Sequence, residues 1–240
     1  MSHQSMSHQK AAADTLAGSD WEGIVRHYET CLRKYGATPR GVDWPNGVDL
    51  AARFQVMLTV LREAGTLPTL LDIGCGPGLL LDYLAATGRL GTIRYQGIDL
   101  SAAMVGAARA RWPEHDFACG DIVKSPLPEQ SVDVAIMNGV LTERVLLSVE
   151  TMTRLAETLV AAAFRVARIG IAFNAMNAHV DRQRDDLFHW PFDALAAFLK
   201  RDVTPHFSFR ADYGLYEYTC FAWRKPQRAT PPKEETWWLK

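Results

Sequence analysis

The segment Leu70-Leu71-Asp72-Ile73-Gly74-Cys75-Gly76-Pro77-Gly78 constrains this chain more than any other. It reads as a strand that turns on three alternate glycines into a helix over 78–86. Glycine is needed where a ligand approaches the backbone closely and where the turn requires positive φ. Nucleotide cofactors of several kinds bind such turns, so the feature restricts the fold before it restricts the chemistry. Two residues narrow the ligand. A dinucleotide fingerprint counted from Gly74 needs its third glycine at position 79, which is Leu79. Asp72 lies at the strand end, where a carboxylate repels a pyrophosphate and suits a cationic amino-acid group.

The pattern on either side of this turn is an alternation of strands and helices. Leu50, Phe54, Met57, Leu58 and Leu61 recur at helical spacing ahead of it, with Asp49 near the helix start. Further strands are expected at 94–98, 117–119, 132–137 and 170–173, and helices from Ser101 to Arg111 and over 151–166. Alternation of this kind implies parallel pairing with right-handed crossovers. After a helix opened by Pro191, the runs 206–210 and 216–224 flank Asp212-Tyr213-Gly214 and should pair as an antiparallel hairpin at one sheet edge. The expected fold is therefore α/β: a doubly wound, mostly parallel seven-stranded sheet with an antiparallel C-terminal hairpin and helices on both faces. Residues 1–18 read as a mobile tail, 19–47 as an irregular aromatic cap on a single domain over 19–224, and 225–240 as a C-terminal tail in which Trp237-Trp238 could dock.

Composition removes several classes of function. A formal charge of −1 and the absence of a Lys/Arg run argue against a nucleic-acid partner. No apolar stretch reaches membrane-span length, and MSHQSMSHQK has no signal-peptide core, so a cytoplasmic location is expected. Cys31, Cys75, Cys119 and Cys220 have no metal-binding spacing and read as isolated thiols, leaving no metal expected.

Three more acidic or amide positions follow the glycine turn. Asp99 ends the second strand, where a carboxylate can accept from both ribose hydroxyls. Asp121 follows the third strand in Gly120-Asp121-Ile122, and Asn138 ends the fourth in Asn138-Gly139-Val140-Leu141. In this order the motifs resemble those of the class I S-adenosylmethionine-dependent methyltransferases, over roughly residues 48–175. The resemblance implies that S-adenosylmethionine is the cofactor. It implies that Gly74, Cys75, Gly76 and Gly78, with Asp72, line the methionine and ribose portion, and that Asp99 holds the ribose. Leu100 and Met104 would pack on adenine, with Asp121 and Ile122 at its edge and Asn138 beside the methionine end. Arg53, on the preceding helix, would hold the cofactor carboxylate.

The departures from the family's variants carry information as well. Asn-Gly-Val-Leu is not the Asn-Pro-Pro-aromatic pattern used for nucleobase or glutamine nitrogens, and Thr142-Glu143-Arg144 lacks the paired histidines of related small-molecule enzymes. The C-terminal third resembles, less closely, a bacterial group associated with polysaccharide and glycoconjugate synthesis. The expected activity is O-methylation of a small polar acceptor, sugar-derived or another small metabolite. His179 would be the base, because an unperturbed histidine titrates near neutrality, and Asp181 would orient it. Tyr28, Tyr35, Trp44, His189 and Tyr213 would form the substrate site and lid. N-methylation of an amine or protein side chain, and a nucleotide- or NAD-binding or non-catalytic protein on the same sheet, remain the alternatives.

Overall fold

The computed structural model describes residues 21–227; the tail expected over 1–18, and residues 228–240 of the tail expected over 225–240, Trp237-Trp238 included, lie outside the described residues. Among the described residues eight strands form one sheet: β1 (Thr69–Ile73), β2 (Arg94–Asp99), β3 (Asp116–Cys119), β4 (Val132–Leu141), β5 (Ala167–Asn177), β6 (His189–Trp190), β7 (Phe207–Arg210) and β8 (Glu217–Trp223). Seven of them run in the order β3-β2-β1-β4-β5-β8-β7, and the two-residue β6 pairs with β5 off this path. The pairs β3-β2, β2-β1, β1-β4 and β4-β5 are parallel, while β5-β8 and β7-β8 are antiparallel. The C-terminal hairpin thus closes one edge, and the order reverses between β1 and β4, where doubly wound sheets open a crevice beyond the strand ends.

Among the described residues six α-helices accompany the strands: α1 (Glu22–Tyr35), α2 (Gly47–Met57), α3 (Leu79–Ala86), α4 (Ala102–Arg111), α5 (Val149–Val166) and α6 (Phe192–Phe198). One face of the sheet is covered chiefly by α5 and α6, the other by α2, α3 and α4. Helix α5 shows why these positions are helical. Met152, Leu155, Ala156, Leu159, Val160 and Ala163 are buried at spacings of three and four, and Ser148 caps the start by accepting from Thr151 N–H. Each fully buried leucine contributes about 1.5–3 kcal/mol.

Three boundaries differ from the sequence expectation. Helix α2 is capped by Asn46, whose Oδ1 accepts from Asp49 N–H at 2.8 Å, and its last turn tightens into a 3₁₀ helix over Leu58–Glu63. Strands β4 and β5 continue past 137 and 173: Leu141 still pairs with Ala175, and β5 stays paired with β8 as far as Met176. The cap over 19–47 is not irregular. Residues 22–35 form a regular helix, followed by a one-turn 3₁₀ helix, Pro39–Val42, whose first proline suits helical φ. Ile24 and Tyr28 lie one turn apart on α1 and face inward, a stripe that the surrounding Gly and Pro obscured.

Candidate active site

The carboxyl ends of β1, β2 and β4, the glycine turn and α1 enclose one pocket. Its floor is Asp72 and Gly74-Cys75-Gly76-Pro77. One wall is Asp99, Leu100, Ser101 and Met104, continued by Gly120-Asp121-Ile122. The far end is Asn138-Gly139-Val140, and the roof is Trp21, Ile24, Val25 and Tyr28 of α1 with Val42 and Trp44.

The glycine turn has the shape its composition requires. Gly74, Gly76 and Gly78 have φ of 73°, 53° and 81°, and a Cβ at Gly74 would stand 2.4 Å from Val140 Cγ2. Gly139, with φ 77°, faces it across the pocket; a Cβ there would stand 2.8 Å from the Trp44 ring. Both sites combine left-handed backbone with close approach, so neither accepts a side chain.

Two aspartates hold the floor and wall. Asp99 Oδ2 accepts from Gly76 N–H at 2.9 Å and Oδ1 from Ser101 N–H at 2.8 Å, so the carboxylate braces the turn while its remaining lone pairs face the pocket. Burial pushes its carboxyl up, and the donors from Ser101 and Gly76 oppose that. Asp72 is almost fully buried and accepts from the Tyr95 hydroxyl at 2.9 Å. Burial raises it to about 7, against the Tyr95 hydrogen bond and with the field of Asp99 adding to the rise.

Asp121 turns out to do two things: its Oδ1 caps the following turn by accepting from Val123 N–H at 2.8 Å, and the residue lines the pocket. Asn138 contributes a buried Oδ1 that has no hydrogen-bond partner among the described residues. Its neighbour Gly139 donates its N–H to Asn174 Oδ1 at 2.7 Å, which fixes the end of β4 to β5.

Ser101 and α1 close the pocket from the side. Ser101 caps α4 by accepting from Met104 N–H and donates to Glu29 Oε1 at 2.7 Å, tying the roof helix to the cofactor wall. Tyr28 donates to Gly139 O at 3.3 Å. Glu143, two residues beyond β4, is half-buried; burial raises its carboxyl to about 7, with Asp43 adding to the rise and His27 opposing it.

The sequence-predicted residues divide clearly. Asp72, Gly74, Cys75, Gly76, Asp99, Leu100, Met104, Asp121, Ile122, Asn138, Tyr28 and Trp44 line this one pocket. Gly78 starts α3 behind the turn and packs against Trp112. Arg53 stands one layer back: its guanidinium stacks on Trp44 at 3.7 Å, its Nε donates to Glu217 Oε2 at 2.8 Å, and Nη1 has no partner among the described residues.

The expected base and several lid residues lie elsewhere. His179 is exposed and stacks flat on Phe192 with centroids 5.7 Å apart, while Asp181 is exposed in the same loop. The loop after β5 packs back on the segment after β4, Arg144 N–H donating to Asp186 O and Phe188 N–H to Thr142 O, and this leaves His179 and Asp181 on its exposed side. His189 has both ring nitrogens engaged, Nδ1 with Asn177 O at 2.8 Å and Nε2 with Arg184 N–H at 3.3 Å, so it braces that loop. Tyr35 is exposed beneath Lys34 and Arg40, and Tyr213 donates to Glu217 behind Arg53. The sequence reading missed the roof residues Trp21, Ile24, Val25 and Val42; the period of α1 was the one feature that could have shown the first three.

A family model described as a methyltransferase domain matches residues 70–168, the span from β1 to the start of β5. Rv1506c of Mycobacterium tuberculosis, named as a methyltransferase, is 35% identical over 154 residues, covering 62% of this chain and 88% of that protein. The chain belongs to the class I S-adenosylmethionine-dependent methyltransferases.

Two further likenesses place the methyltransferase among its relatives. The trans-aconitate 2-methyltransferase of Paracidovorax citrulli is 41% identical over 71 residues, which cover 29% of this chain and 26% of that enzyme. The crystal structure of magnesium protoporphyrin IX methyltransferase from Synechocystis PCC 6803 with bound SAM superposes with a TM-score of 0.59 at 17% identity, covering 88% of this chain and all of that one. The second likeness concerns the fold. The doubly wound sheet, the enzyme class and the S-adenosylmethionine cofactor expected from the ordered motifs therefore stand. No described helix is long and apolar enough to cross a membrane.

Proposed function

We propose that this methyltransferase transfers a methyl group to an oxygen of a small polar acceptor, a sugar-derived molecule or another small metabolite. The observation that carries the reading is the roofed pocket: α1 and Trp44 cover the cofactor motifs, which suits a small acceptor better than a polymer. The small acid in the name of the Paracidovorax relative supports the acceptor class, although the likeness covers only the segment around the cofactor motifs.

Within this reading the residues fit S-adenosylmethionine. The unpartnered Asn138 Oδ1 and the Asp72 carboxylate are acceptors for its ammonium group, and Asp99 offers lone pairs to the ribose hydroxyls. Met104 and Ile122 give the adenine an apolar slot, with Asp121 at its edge. Arg53 Nη1 has no partner among the described residues but lies behind Trp44, outside the pocket lining, so the cofactor carboxylate is not assigned to it. When bound, the cofactor supplies an activated methyl group.

The chain's own contribution is alignment and exclusion of water. Holding nucleophile and methyl in line can lower a barrier by about 7–11 kcal/mol. Tyr28 and Trp44 fix the acceptor beside Asn138-Gly139. Glu143, half-buried two residues beyond β4 and next to the pocket lining through its field on Tyr28, replaces the exposed His179 as the group assigned to the acceptor's proton.

The test is transfer of labelled methyl from S-adenosylmethionine into a bacterial extract, with the products separated by size and charge. Label in small polar molecules supports the reading. Label confined to protein or RNA overturns it.

A further inference from the structure

We propose that His27, Cys31 and Asp43 bind a divalent transition-metal ion of the zinc type, in a three-ligand site that joins the two halves of the pocket roof. By spacing alone Cys31 has only His27, four residues earlier, as a co-ligand, too few for a metal site. The fold supplies the missing ligand by bringing Asp43 back onto α1.

His27 and Cys31 are four residues apart on α1 and so share one face of it. Cys31 Sγ lies 4.0 Å from His27 Nε2, which lies 2.7 Å from Asp43 Oδ2, and the three donor atoms stand within 4.8 Å of one another. Donors at zinc-ligand lengths in a tetrahedron are about 3.2–3.8 Å apart. To reach that geometry the His27–Asp43 pair opens and the Cys31–His27 pair closes by about half an ångström each, while the Cys31–Asp43 separation, at most 4.8 Å, closes by up to about 1.3 Å. Nitrogen, sulfur and carboxylate oxygen together suit zinc and exclude the hard ions magnesium and calcium. All three residues have solvent access, so an ion can enter.

Asp43 is placed by a turn built to hold it. Its φ is 59°, a left-handed value for a residue other than glycine, and its N–H is held by Arg40 O and Pro39 O. The turn also needs Gly41, where a Cβ would stand 1.8 Å from Gly36 O. Among the described residues, His27 is the only recorded side-chain partner of Asp43. A simple His–Asp staple would leave Cys31 without a role; its approach to the same ring nitrogen completes a ligand set.

The site has a structural consequence. Helix α1 carries Tyr28, and the turn carries Val42 and Trp44, so an ion bridging α1 and Asp43 fastens both roof pieces together over the pocket. On binding, the Cys31 thiol releases its proton to solvent and the thiolate takes the metal. Three protein ligands leave a fourth position for water.

The test reads metal binding directly and is independent of the acceptor. The full chain, in a Cys119→Ser background that removes the exposed thiol, is stripped with chelator and titrated with Co²⁺. We expect a thiolate-to-cobalt charge-transfer band in the near ultraviolet at one ion per chain, bleached by Zn²⁺. Cys31→Ser abolishes the band, whereas His3 and His8 can contribute no thiolate. Asp43→Asn, which keeps the left-handed turn, weakens Co²⁺ binding at least tenfold, as does His27→Ala. No band at saturating Co²⁺, a band that survives Cys31→Ser, or unchanged affinity in Asp43→Asn overturns the site.

Discussion

At the scale of single residues, charge placement sets the behaviour of the pocket. Asp72 has its carboxyl raised by burial to about 7, from an ordinary value of 3.8. A raised acid contributes stability below its unfolded value and loses it as pH rises toward its folded one. The free protein should therefore lose stability between about pH 4 and 7, and Asp72→Asn should flatten that loss in denaturant titrations. Cofactor binding has the opposite sign, because the ionised Asp72 accepts from the ammonium group. Affinity for S-adenosylhomocysteine should tighten as pH rises through about 7 in the wild type and change less in Asp72→Asn; a parallel pH profile would remove Asp72 from ammonium binding. Glu143→Gln belongs to the same scale. It should lower kcat by about 10²–10⁴-fold with cofactor affinity preserved, and wild-type turnover would return the proton-accepting role to another group.

At the scale of elements, the pocket depends on contacts between segments far apart in the chain. Arg53 on α2 and Glu217 on β8 pair at 2.8 Å with side-chain exposures of 8% and 1%. Removing one partner strands a buried charge. Arg53→Met should cost about 3–5 kcal/mol by chemical denaturation, and Arg53→Met with Glu217→Gln should recover much of it. Additive losses would mean that the pair is not coupled. This element-level wiring is also where the sequence was least legible. The helical start before β1 could be read from its period, but Arg53's partner lies 164 residues on. The loop after β5 was placed by its position in the chain alone, whereas its course is held by backbone hydrogen bonds to residues 142–145 and by His179 stacking on Phe192. Helix α1 was obscured because its neighbours are Gly- and Pro-rich, although its own inward stripe is periodic.

At the scale of the whole molecule, much of the fold was legible, because parallel β-α units carry their own local record. Each strand is a short apolar run, each ligand-side residue follows it directly, and the glycine turn announces itself by composition. The hairpin of β7 and β8 was equally local. The roof, the buried ion pair and the His27–Cys31–Asp43 cluster were not legible, since each exists only after distant segments meet. The central claim is that this pocket holds the cofactor through Asp99, and calorimetric titration of S-adenosylhomocysteine into the wild type and Asp99→Ala tests it most directly. Loss of a charge-assisted hydrogen bond should weaken binding by about 1.5–3 kcal/mol, with NADH failing to compete in the wild type. Equal affinity in the two proteins, or displacement by NADH, would contradict the account.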